Sequence, residues 1–435
     1  MKIGAISLGC DKNRVDTEKM LDRLVRAGHT LVGSEEEADV IIINTCAFID
    51  SAKEEAIDEI LGALAVKKAH KGKKVIVSGC LSQRYADTLE KEFPEIDAIL
   101  GVADYDEICD TVEKICNGDK IYSQANGDNF YAGRVLTTPY HYAYLKIADG
   151  CNNHCTYCAI PSIRGKYVSY KMDDLLAEAK KLSDDGVKEL ILVAQDVIRY
   201  GTDFDGVPHI KELVRELEKL DFAWIRLLYL EPEMVDDDFI DFIANEEKVV
   251  KYMDIPLQHV SDGVLKRMNR HTTHQSTVDL IKKVKQAGIC VRTSFICGFP
   301  GESEQDFAEL EDFVRTAGID YAGFFAYSRE EGTPADRLDG HIDEDVKQAR
   351  AEKLRVIQAE LIEKRHRELI GKQIEVIYDD IDYDRQAFVG RASTQAPDID
   401  SVVYFSADEE VQIGNFYTVE ITDTEGIDLI GKVKE

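Results

Sequence analysis

Long apolar runs are missing from this chain of 435 residues. No stretch approaches the roughly 18 apolar residues that a membrane-spanning helix needs, so the sequence predicts no membrane span and a cytoplasmic protein. Ser7-Leu8-Gly9-Cys10 has the look of a lipoprotein cleavage site. Only residues 3–8 precede it as an apolar stretch, short of the about 7 to 15 residues of an export signal. Positive charge is also scarce: 53 Lys and Arg stand against 83 Asp and Glu, a formal charge of -30. Such a surface repels polyphosphate and favours basic partners. A cationic protein fits it better than a nucleic acid does. Internal repeats and low-complexity tracts are absent as well.

Cysteine, by contrast, is plentiful, with ten residues. Without an export signal, these thiols are expected in a reducing compartment, where metal binding or catalysis accounts for them better than a disulfide framework. Their placement follows from the predicted elements of an α/β multidomain chain. In residues 1–116, β-rich runs at 3–8, 40–45, 75–78 and 96–102 alternate with helical patterns at 13–27, 51–69 and 82–92. This is the pattern of a parallel, flavodoxin-like sheet. Cys10, Cys46 and Cys80 each follow one of its first three strands, on the rim where such sheets bind ligands. Free cysteine is often merely a small buried hydrophobe, but three at equivalent positions point to a second metal cluster. Cys109, Cys116, Cys290 and Cys297 lack such a pattern and read as structural.

Residues 117–136 read as a linker, punctuated by Asn117-Gly118-Asp119 and Asn126-Gly127-Asp128. Residues 137–368 then show strands near 142–148, 189–194, 224–230, 251–255, 289–297 and 319–327, six β/α units that predict a partial TIM-type barrel. A charged helix over 344–370 closes it. In residues 371–435, short strands at 373–377, 387–391, 402–405 and 416–422 predict a small β-barrel.

Cys151, Cys155 and Cys158 lie within eight positions, just after the barrel's first strand. Clustered thiolates select zinc or an iron-sulfur cluster. Structural zinc usually takes four ligands, and the fourth here would be His154 or a distant group. Three ligands leave one position open for substrate or cofactor. Three further places are candidates for the rim. Gln195 and Asp196 end the second strand, either lining a pocket or capping the next loop. Gly298 and Gly301, in Gly298-Phe299-Pro300-Gly301-Glu302, allow close backbone approach or simply make a turn. His259 ends the fourth strand and reads as a packed histidine.

The C-x3-C-x2-C spacing, with Tyr157 before the last cysteine, resembles the signature of the radical S-adenosylmethionine (SAM) superfamily. The resemblance implies a 4Fe-4S cluster on Cys151, Cys155 and Cys158 whose fourth iron chelates SAM, and a 5'-deoxyadenosyl radical made by reductive cleavage. Four segments carry a closer resemblance, to the methylthiotransferases: Ser7-Leu8-Gly9-Cys10-Asp11-Lys12-Asn13, residues 44–52, Ser78-Gly79-Cys80 and the triplet continued to Gly165. Those enzymes join an N-terminal three-cysteine domain, a radical SAM core and a C-terminal TRAM domain. The family implies a second 4Fe-4S cluster on Cys10, Cys46 and Cys80 that carries the sulfur to be inserted. Asp11 departs from the proline usual after the first cysteine, which bears on loop rigidity.

One branch of the family modifies an adenosine in tRNA, the other an aspartate of small-subunit ribosomal protein S-twelve. Residues 141–147, Asp254 to His259, Gln195-Asp196 and residues 396–404 look like the ribosomal-protein branch. From 371 to 435, five Lys and Arg against fifteen Asp and Glu leave -10, which repels tRNA and suits a basic ribosomal protein. The reading therefore expects SAM as both methyl and radical source, an electron donor protein as partner, and no direct tRNA binding. Three alternatives stay open at this point: a tRNA methylthiotransferase, a non-catalytic iron-sulfur electron carrier and a zinc-binding protein.

Overall fold

The strand Val40–Thr45 is buried along its whole length, which suits the centre of a parallel sheet covered on both faces. In the computed structural model, which describes residues 1–124 and 130–434, it pairs in parallel with Lys2–Ser7 and Lys74–Gly79. The sheet order is Thr30–Leu31, Lys2–Ser7, Val40–Thr45, Lys74–Gly79, Ala98–Leu100, Ile121–Ser123. The chain turns one way from Lys2–Ser7 and the other way from there on, so a crevice opens where the direction reverses, above Lys2–Ser7 and Val40–Thr45. Thr30–Leu31 and Ile121–Ser123 are too short to show alternation in sequence. The latter falls in the stretch read as linker, whose Asn126-Gly127-Asp128 turn lies outside the described residues.

The second unit contains two three-stranded parallel sheets. Tyr142–Lys146, Glu189–Val193 and Trp224–Leu227 form one. Tyr252–Asp254, Cys290–Cys297 and Tyr321–Ala326 form the other. A parallel bridge from Ile225 to Val249 links them into an open six-stranded barrel. Outward-facing Ala143, Leu145, Leu190, Leu192, Val291 and Phe324 belong to the main core with the surrounding helices. Inward-facing Tyr142, Trp224, Tyr252, Cys290 and Tyr321, each the first residue of its strand, fill the amino-terminal end.

The C-terminal unit plugs that end. Its five strands, in the order Gln373–Asp382, Ala387–Ala392, Val403–Ser406, Asp428–Val433, Phe416–Glu425, close into a barrel. Asp428–Val433 is one strand more than the sequence reading predicts. The connection after Ala392 enters the larger barrel: Arg226 donates to the Ser393 carbonyl at 3.0 Å and Tyr252 to Asp400 at 2.7 Å. Ile377 and Ala396 join the inward-facing aromatics. With the amino-terminal end filled, chemistry is confined to the carboxyl-terminal end. Among the described residues no helix is long and apolar enough to cross a membrane.

The joint between barrel, closing helix Glu344–Arg367 and C-terminal unit holds His366, 6% exposed and 3.4 Å from the Tyr321 hydroxyl. Burial pulls its imidazole down to about 4. A histidine depressed on folding contributes stability that is complete above its unfolded pKa and is lost as pH falls below it. From near-neutral pH to about pH 5 the expected loss is about 2 kcal/mol. Urea unfolding of the parent and of His366→Gln at the two pH values checks this; equal pH sensitivity in both chains overturns it.

Candidate active site at two cysteine groups

Cys10, Cys46 and Cys80 meet at the crevice. Two glycines make this possible. At Gly9, where φ is +83°, an added Cβ would lie 2.8 Å from the Cys46 sulfur. At Gly79, where φ is +98°, it would lie 2.3 Å from Asn44 Oδ1. Cys10 is the N-cap of Asp11–Arg26 and Cys80 the first residue of Cys80–Glu92. Both therefore sit at helix N-termini, whose partial positive charge favours thiolates. Asn13 locks the loops by donating to the carbonyls of Leu8 at 3.1 Å and Thr45 at 2.9 Å, and its Oδ1 stands 3.6 Å from the Cys80 sulfur. Burial pushes the Cys80 thiol up to about 12, with Cys10 and Cys46 adding to the rise while Arg164 pulls it down. Thiolates so desolvated need a cationic centre beside them, which is what a bound metal supplies.

In the second group, Cys151, Cys155 and Cys158 are half-buried and free. The Asn153 amide donates to the Cys151 sulfur at 3.3 Å and the Ile160 amide to that of Cys158 at 3.5 Å. Arg270 Nη1 donates to Cys155 at 3.6 Å. N–H groups already aimed at sulfur are the contacts that tune a cluster's thiolates. His154 is exposed and does not turn back as a fourth ligand. Among the described residues no three His, Cys, Asp or Glu side chains are set to hold a single metal ion. Soft sulfur donors alone, three to a group, fit an iron-sulfur cluster better than one zinc ion.

Gln195 is half-buried just past Glu189–Val193. Asp196 beside it is fully buried, bound to Arg199 Nε at 2.7 Å, with its Oδ1 unpartnered. Burial pushes the Cys151 thiol up, and Cys155 and Asp196 add to the rise. Gly298 and Gly301 have φ of +74° and +86°, but the space they free is taken by Lys347 and Arg267, 2.2 and 2.7 Å from an added Cβ. Protein packing on the Cβ side accounts for the lack of a side chain at both positions. His259 is buried and accepts from the Ser261 amide at 3.0 Å, a packed histidine. Cys290 and Cys297 are buried, whereas Cys116 is exposed and so serves no core.

Glu231 and Arg270 escaped the sequence reading. They form a buried ion pair beside Cys155, and Glu231 is pushed up to about 7, chiefly by burial. A carboxylate at a strand's end, in Leu230-Glu231-Pro232, was the available signal. Asp11 accepts from the Tyr229 hydroxyl at 3.0 Å, while the Lys12 ammonium lies 3.3 Å from that ring's centroid. The first cysteine loop is thereby fastened to the barrel. A cavity of about 450 Å³ receives walls from both loops, Phe48 and Ile49 from one and Tyr157 from the other, together with Ile296, Phe325 and Tyr327. A larger groove, about 800 Å³, around Glu233, Asp237 and Lys283 touches neither cysteine group.

Three family profiles match the chain: the radical SAM superfamily over residues 145–314, the uncharacterized protein family UPF0004 over 2–101 and the TRAM domain over 370–433. Curated relatives include the ribosomal protein uS12 methylthiotransferases RimO of Clostridium botulinum, 45% identical, and Clostridioides difficile, 44% identical. These alignments span 100% of this chain and 98% and 99% of the relatives. Among solved structures, the radical SAM methyltransferase TsrM of Kitasatospora setae, with cobalamin and a 4Fe-4S cluster bound, superposes with a TM-score of 0.54 at 14% identity. That match covers 77% of this chain and 76% of TsrM and shows the shared fold. The protein is a radical SAM enzyme, and as such it uses an iron-sulfur cluster and SAM. Within that class, the chain belongs to the RimO family of methylthiotransferases.

Proposed function

We propose that this enzyme inserts a methylthio group at the β-carbon of an aspartate of ribosomal protein uS12, with SAM as source of both methyl group and radical. The observation that carries the reading is the pair of cysteine loops walling one cavity, on a chain alignable end to end with uS12 methylthiotransferases. Cys151, Cys155 and Cys158 would hold one 4Fe-4S cluster, and Cys10, Cys46 and Cys80 a second. When bound, these groups and SAM supply reductive sulfonium cleavage, a hydrogen-abstracting radical and the sulfur to be inserted.

The chain's own residues prepare the site. The amides of Asn153 and Ile160 and the Arg270 guanidinium orient the three sulfurs of the SAM-cleaving loop. Gln195 and Asp196 form the rim beside Cys151, while Gly298 and Gly301 shape the neighbouring turn. Phe48 and Phe325, 42% and 50% exposed, give the mouth of the cavity two apolar side chains against which a substrate segment packs. Residues 1–116 thus supply sulfur, 137–368 the radical and 371–435 the acidic surface for a basic substrate. That acidity, with the overall charge of -30, favours uS12 over direct binding of tRNA. The reaction requires an electron donor protein and belongs in the reducing cytoplasm. Anaerobic incubation with SAM, a reductant and either uS12 or tRNA tests the reading by mass spectrometry. Methylthio replacing hydrogen on uS12 is expected; modification of tRNA alone, or no 5'-deoxyadenosine, overturns it.

A further inference from the structure

Between the two cysteine groups runs the segment 159–164, and its end carries a guanidinium with no place in the chemistry described so far. Ala159 and Ile163 belong to the core of the N-terminal sheet, together with Cys80. At one end, the Ile160 amide points to the Cys158 sulfur. At the other, the Arg164 side chain, 1% exposed, reaches the opposite group. Its Nη2 donates to Asn13 Oδ1, the atom that stands against the Cys80 sulfur, and to Asp16 at 3.1 Å. Its Nη1 lies 3.0 and 3.1 Å from the two oxygens of Asp149. Nε is buried with no hydrogen-bond partner. Asp16 and Asp149 are shared with a second buried cation, Lys146, so the two carboxylates are matched by two positive groups. The guanidinium therefore does not neutralise the two carboxylates alone, and it is held against the Asn13 amide oxygen that faces the Cys80 sulfur.

We propose that Arg164 is a positioning residue for the Cys10, Cys46 and Cys80 site: its guanidinium sets the register of Asn13 against Cys80 and places a fixed positive charge beside the sulfurs. Because the same short segment follows Cys158, order in the SAM-cleaving loop is transmitted to the sulfur-bearing site. The proposal rests on the reading that Cys10, Cys46 and Cys80 hold a cluster. A fixed positive charge stabilises the more negative, reduced form of such a cluster and so raises its reduction potential.

The test uses the full-length chain with Cys151, Cys155 and Cys158 changed to alanine, reconstituted anaerobically with iron and sulfide, so that only the second site reports. Iron content and an EPR-monitored redox titration are read. Iron bound by this chain and lost on adding Cys80→Ala establishes the site; no iron in either sinks the cluster reading itself. Given iron, Arg164→Gln is expected to shift the potential to more negative values, and Arg164→Lys to return it toward the parent. Arg164→Gln combined with Asp16→Asn removes one buried charge of each sign and keeps the network balanced. Its potential is expected to shift in the same direction if the single variant does not fold. A potential unchanged in the glutamine variants, or shifted as far by lysine as by glutamine, overturns the role of Arg164.

Discussion

Cys80→Ala is expected to leave 5'-deoxyadenosine formation near the parent rate while methylthiolated uS12 falls below about 1% of the parent yield, since the lost group serves only the transfer step. The separation follows from the architecture. Cys80 opens a helix of the N-terminal sheet, whereas the SAM-cleaving cysteines lie in a loop of the barrel with their own amide donors. Alanine removes a buried sulfur without adding bulk or charge, and although Asn13 loses its contact with that sulfur it keeps its bonds to Leu8, Thr45 and Arg164. The parallel substitution Cys155→Ala is expected to abolish both products, because no radical forms. Quantifying 5'-deoxyadenosine and modified uS12 in the same reaction distinguishes the two. Full product from Cys80→Ala would sink the assignment of the second site.

Glu178→Ala should have the largest effect on stability, a loss of about 3–5 kcal/mol. Glu178 is 1% exposed and pairs with Lys19, 2% exposed, at 3.3 Å and with Arg134 at 3.2 Å. Lys19 lies on Asp11–Arg26, a helix buried on nearly every side between the N-terminal sheet and the barrel. Burial pulls the Lys19 ammonium down and Glu178 pulls it back up, so removing the carboxylate leaves an uncompensated cation inside. The effect should appear as a lower urea midpoint. Lys19→Met with Glu178→Leu, which removes both charges, is expected to recover most of the loss. A single variant as stable as the parent overturns the pairing argument.

How much of this was legible depended on how local the information is. The parallel sheet and the six β/α units could be read because strand and helix periodicity is written into neighbouring residues. The meeting of Cys10, Cys46 and Cys80 could be read because parallel topology sends the ends of successive strands to one rim. Thr30–Leu31 and Ile121–Ser123 were too short for periodicity to register. Gly298 and Gly301 show the reverse case. Their conformation was readable from residue type, but what fills the space beside them, Lys347 and Arg267, comes from elsewhere in the chain. Glu231 and Arg270 find one another across 39 positions of sequence; the place of Glu231 at a strand's end hints at the carboxylate, but no pattern marks Arg270.

By itself the sequence determined the chemistry on offer: two sets of three soft thiolates, a parallel α/β frame and an acidic surface. These depend on side-chain identity and short-range period, which folding does not alter. Only the tertiary structure decided which groups act together. It placed Arg164 beside Asn13 across 151 positions of sequence, fastened Asp11 to Tyr229 and drove residues of the C-terminal barrel into the amino-terminal end of the larger one. Burial is the reason. A guanidinium or carboxylate in water is interchangeable with many others, whereas one enclosed among a few fixed partners has a single role, and that enclosure exists only once distant segments have packed.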